Sequence, residues 1–268
     1  MNARKNLKGR TGLCGTLRTL VWALLLFPAL AHPDDKTITF VADEWAPFNG
    51  VPNSEMEGYM VDVARAVFEP QGYKVIYRNL PWTRAVAETR EGHYNAVIGA
   101  SRSDAQGFVF PEEELNRNRL SFYVKKDSDW KFTGIDSLNS VRIGVVAGYD
   151  YRDWFREFMA KKPSNIATIH GDRPLERNIN KLVLGRIDVV VDTAAAIRWS
   201  AKQAGMMDEI ISAGDDHIGD VAYIYHAFSP HLPTSQTYAD ILDEGIRTMR
   251  ANGELHTILQ RYGLQDWK

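Results

Sequence analysis

From residue 38 onward the chain alternates between short apolar runs and apolar positions spaced three or four apart. Residues 38–42, Ile-Thr-Phe-Val-Ala, read as a strand. Met60, Val63, Ala64, Val67 and Phe68 fall on one helical face. Gly72 ends that helix, and residues 74–77 form a second strand. Thr83 is placed to cap a helix running to about Arg90. Gly92 ends this helix, and residues 96–100 make a third strand.

The same order then returns. Residues 141–146 read as a strand, 151–159 as a helix and 166–170 as a strand. Leu175, Ile179, Leu182 and Val183 mark a helix face ended by Gly185, and residues 187–191 form the next strand. The two units close alike, with Gly92-x-x-Asn95-Ala96-Val97-Ile98 against Gly185-x-x-Asp188-Val189-Val190-Val191. Each is β-α-β-α-β with short connections, which implies parallel strands and right-handed crossovers. Uninterrupted apolar runs such as Val189-Val190-Val191 suit strands buried on both faces.

One doubly wound sheet would also hold six such strands. Two extended segments favour two lobes: a polar stretch, residues 111–126, ending in Ser121-Phe122-Tyr123-Val124, and a run at residues 221–228. Two helices close the chain, with faces at Tyr238, Ile241, Leu242, Ile246 and Met249 and at Leu255, Ile258, Leu259 and Tyr262, broken at Asn252-Gly253. If they return to the first lobe, the chain crosses between lobes twice and makes a two-strand hinge.

Residues 1–31 read as an address. Arg4, Lys5, Lys8, Arg10 and Arg18 precede an apolar run at 20–30 that ends in Ala29-Leu30-Ala31. A basic stretch, a short apolar core and a small-x-small end describe a secretory signal peptide. The apolar run is about half the ~20 residues that span a bilayer, which weighs against a retained anchor. Cleavage is expected after Ala31, and Cys14 does not sit in a lipoprotein-like cleavage site. Of 32 basic and 34 acidic residues the address removes five bases and no acid, so the remaining 237 residues carry −7 and no cysteine. That excludes a disulfide framework and a cysteine-based zinc site, and an acidic surface argues against nucleic acid as a partner. At 44% hydrophobic residues the chain has ordinary globular composition and can be held by its core alone.

Ligands of open α/β sheets sit outside the carboxyl ends of the strands. Those ends carry Glu44 and Trp45, Pro81 and Trp82, and Ser101 and Arg102 in the first unit. In the second they carry Tyr149 to Tyr151, Asp172, and Asp192 with Thr193. Trp45 and Trp82 either stack on a planar or cationic ligand or cover the core of a lobe. Arg102 either grips a carboxylate in a bidentate fork or stands solvated in its loop. Arg84, in the first turn of a helix, reads better as an ion-pair partner. Tyr149-Asp150-Tyr151 precedes a helix whose free N–H groups suit an anionic ligand group, and Asp150 itself reads better as a cap. Asp192 either accepts a ligand ammonium or caps the following helix.

These residues carry a family resemblance along nearly the whole chain after the address. Asp43-Glu44-Trp45-Ala46-Pro47-Phe48, Glu57-Gly58-Tyr59-Met60-Val61-Asp62-Val63, Pro81-Trp82-Thr83-Arg84-Ala85 and Gly92-His93-Tyr94-Asn95-Ala96-Val97 resemble, in order, segments of the bacterial extracellular solute-binding proteins of family 3. Ser137-Leu138 with Val141-Arg142-Ile143-Gly144-Val145, and Gly185-Arg186-Ile187-Asp188-Val189, continue the resemblance. It implies a two-lobe periplasmic-binding-protein-like type II α/β fold, each lobe a mainly parallel sheet flanked by helices. Lobe one is expected at 37–121 and 229–268, lobe two at 127–221, and the hinge crossings at 122–126 and 222–228. The resemblance implies a monomer in the periplasm that captures a small polar ligand, an amino acid or related compound, for a membrane permease of an ABC importer. Relatives typically hold the ligand carboxylate with an arginine in a Thr-x-x-Arg loop and the amine with an acid of lobe two. Here the loop is the shorter Ser101-Arg102-Ser103-Asp104-Ala105-Gln106, which aligns Asp104 with that arginine, and Asp192 comes one residue early. The ligand-site expectation is therefore Glu44, Trp45, Trp82, Ser101, Arg102, Tyr149, Tyr151, Asp192 and Thr193.

Neither catalysis nor a cofactor is expected. The chain has no Gly-x-Ser-x-Gly, no His-Glu-x-x-His and no phosphate-cradling glycine loop. His226 and His231 flank a proline-containing turn, a poor metal pair, and Asp215-Asp216-His217 with Asp220 reads as a solvated turn. Two alternatives stay open: a periplasmic sensor reporting to a membrane receptor, and a cyclohexadienyl-dehydratase-like enzyme, which would need a carboxylic acid poised in the cleft, with Glu44, Asp192 or Asp172 as candidates.

Overall fold

The chain is known from a computed structural model, which describes residues 36–149, 151–219 and 221–268. The expected address, with Cys14 and Ala31, lies outside the described residues, as do Asp150 and Asp220.

The first lobe begins with β1 (Thr37–Ala42), α1 (Tyr59–Phe68), β2 (Lys74–Asn79), α2 (Trp82–Arg90) and β3 (Ala96–Ala100). β1 pairs in parallel with both β2 and β3. Side-chain alternation gives each face of β1 its own helices. Ile38, Phe40 and Ala42 pack with α1 residues, while Val41 joins Ala85 of α2 in a second cluster. α6 (Ser235–Asn252) and α7 (Glu254–Arg261) return to this lobe and pack on α1. Their break falls at Gly253, whose φ of 84° is the left-handed conformation glycine adopts without strain.

The second lobe repeats the plan with β6 (Ile143–Val146), α3 (Asp153–Lys161), β7 (Ile166–Ile169), α4 (Pro174–Val183), β8 (Val189–Asp192) and α5 (Ala194–Gln203). Here Val189 and Val191 face the α3 side while Val190 joins the α4 and α5 side, which accounts for the uninterrupted apolar run. The repeated Gly-x-x-Asn/Asp does the same job in each lobe. Asn95 Oδ1 accepts the Thr39 N–H at 2.8 Å, and Asp188 Oδ2 accepts the Arg142 N–H at 2.8 Å. Each ties the start of its lobe's third strand to the first.

Four further strands complete the sheets. The described strands form two five-stranded sheets, β2-β1-β3-β10-β4 and β7-β6-β8-β5-β9, with β4 at Asn116–Asn118, β5 at Ser121–Lys125, β9 at Ile210–Asp215 and β10 at Ala222–Phe228. β10 runs antiparallel to β3 and β4, and β5 antiparallel to β8 and β9. The sheets are therefore mixed, with one reversed strand in each.

Several sequence expectations shift. Segments 122–126 and 222–228, read as the crossings, are sheet strands whose backbone groups are taken up in ladders. The chain passes between the sheets at 119–120 and at 216–221 instead. β4 and β9 had no counterpart in the periodicity, because Asn-Arg-Asn is polar and Ile210–Asp215 mixes buried and exposed positions without strict alternation. α2 begins at Trp82 with Pro81 as its cap residue, so Thr83 does not cap it. α3 starts at Asp153 rather than residue 151, because Tyr151 is drawn into the core.

Among the described residues no helix is long and apolar enough to cross a membrane. The described residues belong to one compact unit. Within it α1 and α6 approach closely at Gly245, where an added Cβ would lie 2.5 Å from Val67 Cγ2 and 2.6 Å from Val67 Cγ1. Gly245→Ala is expected to lower stability by ~1–3 kcal/mol through overpacking, despite alanine's better helix propensity. Urea unfolding should show the loss, and adding Val67→Ala should recover part of it.

Candidate functional site

The carboxyl ends of β1 and β3 and the start of α2 face those of β6 and β8 across a cavity of about 470 Å³, a size suited to a small molecule. Lobe one supplies Asp43, Trp45, Trp82, Ser101 and Asp104 to its wall, and lobe two Tyr149, Tyr151, Trp154, Asp192 and Thr193. The crossings add Arg119 and Leu120 on one side and Ile218, Gly219 and Val221 on the other.

Trp45 is held from both faces. Its ring stacks on buried Phe48 with centroids 4.1 Å apart, and the turn is tied by Trp45 N–H to Asn49 O at 2.7 Å. On the other side lies Gly99, with a φ of 88°, where a Cβ would stand 3.5 Å from the indole. The indole edge then points at lobe two, and Nε1 donates to Asp192 Oδ1 at 3.0 Å.

Asp192 ends β8, directly before α5. Thr193 caps that helix, its hydroxyl accepting the Ala196 N–H at 3.3 Å. Asp192 Oδ1 also accepts the Thr193 N–H at 2.7 Å. Asp192 is 4% exposed, and its Oδ2 meets no donor among the described residues. A buried carboxylate oxygen without a partner is costly, and a ligand cation would satisfy it.

On the opposite side Tyr149 of lobe two brings its hydroxyl up to the Asp43 carboxyl of lobe one, near enough to favour the charged form. Each lobe thus presents an acid that an aromatic residue of the other lobe covers. Burial pushes both Asp43 and Asp192 up to about 6, against these contacts. Tyr151 serves the scaffold as well as the wall, its hydroxyl accepting the Val146 N–H at 2.7 Å.

In lobe one Ser101 shapes a tight turn. Its N–H and hydroxyl donate to Asp104 Oδ2 at 2.9 and 2.7 Å. Trp82 sits at the start of α2, packed against the cluster of Val41, Ala85 and Val97 while lining the cavity.

Two of the nine sequence candidates lie elsewhere. Arg102 is not on the cavity wall; its guanidinium stands 4.8 Å from the Phe110 ring and 5.0 Å from the Tyr225 ring, with Nη2 donating to Pro111 O at 3.4 Å. The turn made by Ser101 and Asp104 directs residue 102 outward. Glu44 faces Arg173, Asp172 and Glu176 of lobe two, outside the wall. Arg84 makes a surface ion pair with Glu88 at 2.5 Å.

Sequence reasoning missed Asp43, Asp104 as a wall residue, Trp154 and the Asp216 centre. Asp216, expected in a solvated turn, is fully buried. It accepts Trp154 Nε1–H at 3.2 Å and Ile218 N–H at 2.6 Å, and lies 3.6 Å from Arg152 Nε. Its own N–H donates to Leu120 O at 2.7 Å, and its carbonyl accepts from Arg119 at 3.2 Å, so one residue ties both crossings together. Asp43 was detectable as the polar residue closing β1; nothing local marked Asp216. His226 is a core residue, its Nε2 3.1 Å from Met60 O and its ring held neutral by burial.

Two lobes, each a mixed sheet between helices, facing each other across a cavity lined by aromatic rings and acids, define a two-lobe periplasmic-binding-protein fold. The chain belongs to the bacterial extracellular solute-binding proteins, family 3, whose family model matches residues 38–265. No curated protein matches it in sequence. Among solved structures, one concerns glutathione import in Gram-positive bacteria via GshT and the cystine ABC importer TcyBC of Streptococcus mutans. It is 21% identical, covers 87% of this chain and 98% of its own, and superposes with a TM-score of 0.73. A histidine kinase sensor domain with similarity to periplasmic binding proteins is 16% identical over 85% of this chain and 96% of its own, at 0.68. The ancestral amino acid-binding protein AncCDT-1, a precursor of cyclohexadienyl dehydratase, is 17% identical over 85% and 95%, at 0.67. These likenesses are of fold.

The raised carboxyls carry a signed consequence. An acid whose folded value lies above its unfolded one destabilises the fold above the folded value and is neutral in effect below the unfolded one. Asp192→Asn is therefore expected to raise the ligand-free melting temperature at pH 7.5 by several degrees, on the order of 2 kcal/mol. The gap from wild type should close as pH falls through 6 toward 4. Paired thermal melts across that range check it, and a lower-melting Asp192→Asn at pH 7.5 would refute it.

Proposed function

We propose that this solute-binding protein captures a small polar ligand bearing an amino group, an amino acid or a related amine, between its lobes and presents the closed form to the permease of an ABC importer. The single observation that carries this reading is the unpartnered, buried Oδ2 of Asp192 on the wall of the cavity between the lobes. An ammonium there supplies the missing donor and neutralises a desolvated charge. Trp82, Tyr149 and Tyr151 line the cavity around the ligand's body, Trp45 presents its indole edge, and Ser101 and Thr193 stand beside them. Ligand bound to both walls favours the closed arrangement, with motion at 119–120 and 216–221, the two passages between sheets. Lobe one then comprises the sheet of β1 to β4 with β10, and lobe two that of β5 to β9. In this reading the protein works in the periplasm, which the family and the address-like residues 1–31 support. The ligand itself undergoes no chemistry in this reading.

A second reading has a specific observation in its favour. A carboxyl held up to about 6 suits a general acid, as a dehydratase would need. Turnover of a cyclic dienyl acid, abolished by Asp43→Asn or Asp192→Asn, would establish it.

A thermal-shift screen of amino acids, amines and small organic acids tests the main reading. A ligand at a hundred times its Kd should add ~2.7 kcal/mol of stability. The expected hit is an aminated solute whose shift disappears in Asp192→Ala and weakens in Trp45→Ala. Shifts only with ligands lacking an amino group would overturn it.

A further inference from the structure

The cavity has carboxylates on both lobes but no lobe-one guanidinium on its described wall. Among the described lining residues, Asp43, Asp104, Asp153 and Asp192 stand against Arg119 and Arg152. Both arginines are engaged at the crossings: Arg119 donates to Asp216 O at 3.2 Å, while Arg152 donates to Ile218 O at 3.2 Å and pairs with Asp216. Asp153 pairs with Arg156. Arg102 is turned away onto Phe110 and Tyr225. On the lobe-one side a ligand therefore meets Asp43, Asp104 and indole rings.

Resting on the receptor reading above, we propose that the ligand is a compact organic cation without a free carboxylate, an ammonium or guanidinium compound with a positive group at Asp192 and a second at the Asp43 and Asp104 wall. Asp192 Oδ2, buried and without a donor, anchors one end. Trp82 lines the way with an indole that attracts cations as well as apolar stems, while Trp45, stacked on Phe48 and backed by Gly99, presents its edge. A carboxylate in place of the second cation would face the Asp43 and Asp104 carboxyls, with no lobe-one guanidinium on the described wall to offset the repulsion between like charges. Two positive groups, by contrast, balance the excess of acids. Lobe closure then joins opposite charges instead of like ones.

Matched pairs that differ only in the carboxylate test this: arginine against agmatine, lysine against cadaverine, and ornithine against putrescine. Titration calorimetry of each on the purified, ligand-stripped protein at pH 7.5 reads the difference. The expected result is at least tenfold tighter binding of the decarboxylated member in any pair that binds. That preference should fall at least tenfold in Asp104→Asn and Asp192→Asn, with each variant's ligand-free melt recorded to show that it folds. Equal or tighter binding of the amino acid overturns the inference and leaves the receptor reading standing. Binding of none of the six compounds also overturns it, and the wider screen then decides the receptor reading separately. Amine binding that both variants retain in full overturns the assignment of the second cation to this wall.

Discussion

The structure turns on two acids held at the cleft. Trp45 of lobe one donates to Asp192 of lobe two at 3.0 Å, and Tyr149 of lobe two stands against Asp43 of lobe one. Asp192 is almost fully removed from water and Asp43 partly so, and Asp192 is compensated only in part. Bonds to a charged acceptor contribute about 1.5–3 kcal/mol each, less than the several kcal/mol of removing a carboxylate from water. The closed lobes therefore hold unspent electrostatic attraction for positive charge. That balance makes a ligand-dependent closure physically reasonable: without a cation the two acids resist being buried, and with one they draw the walls together.

The connection between the lobes is built on the same economy of buried charge. Asp216 bonds to both chain passages and to the start of α3, through Leu120, Arg119, Ile218 and Trp154. A fully buried carboxylate with several donors is a rigid junction. It couples the position of the passages to that of Trp154 and Arg152, which themselves line the cavity. Reversed strands β5 and β10 lie next to these passages, each inside one sheet, so bending is confined to a few residues rather than spread along a strand.

Much of the scaffold was legible because it depends on local periodicity. Alternation in Ile38–Ala42, the face of Met60, Val63, Ala64 and Val67, and the twin Gly-x-x-Asn/Asp closures all survive in the structure with the roles their spacing implies. The strands that failed to appear, β4 and β9, are stabilised by neighbours in the sheet rather than by an apolar pattern of their own. The crossings were misplaced for the same reason. An extended apolar run looks alike whether it spans a gap or lies in a ladder, and only pairing partners tell the two apart.

The site was legible as a location and not as a charge pattern. Strand ends and their order placed Trp45, Trp82, Ser101, Tyr149, Tyr151, Asp192 and Thr193 together, because parallel β-α-β units force their carboxyl ends to one edge. Orientation within that edge was beyond reach. Whether Arg102 faces the cavity depends on a turn closed by Ser101 and Asp104, and whether Asp216 is buried depends on Leu120, nearly a hundred residues away. The partners Trp45 and Asp192 are 147 positions apart. Sequence by itself determined the two β-α-β-α-β units, their helices and the strand ends that carry the candidate groups, since these follow from hydrophobic spacing along short stretches; the division into two sheets needed the strand pairing. Only the tertiary structure decided which acids lose their water and which arginines are already engaged, since desolvation and hydrogen bonding are properties of groups that the fold, not the chain, makes neighbours.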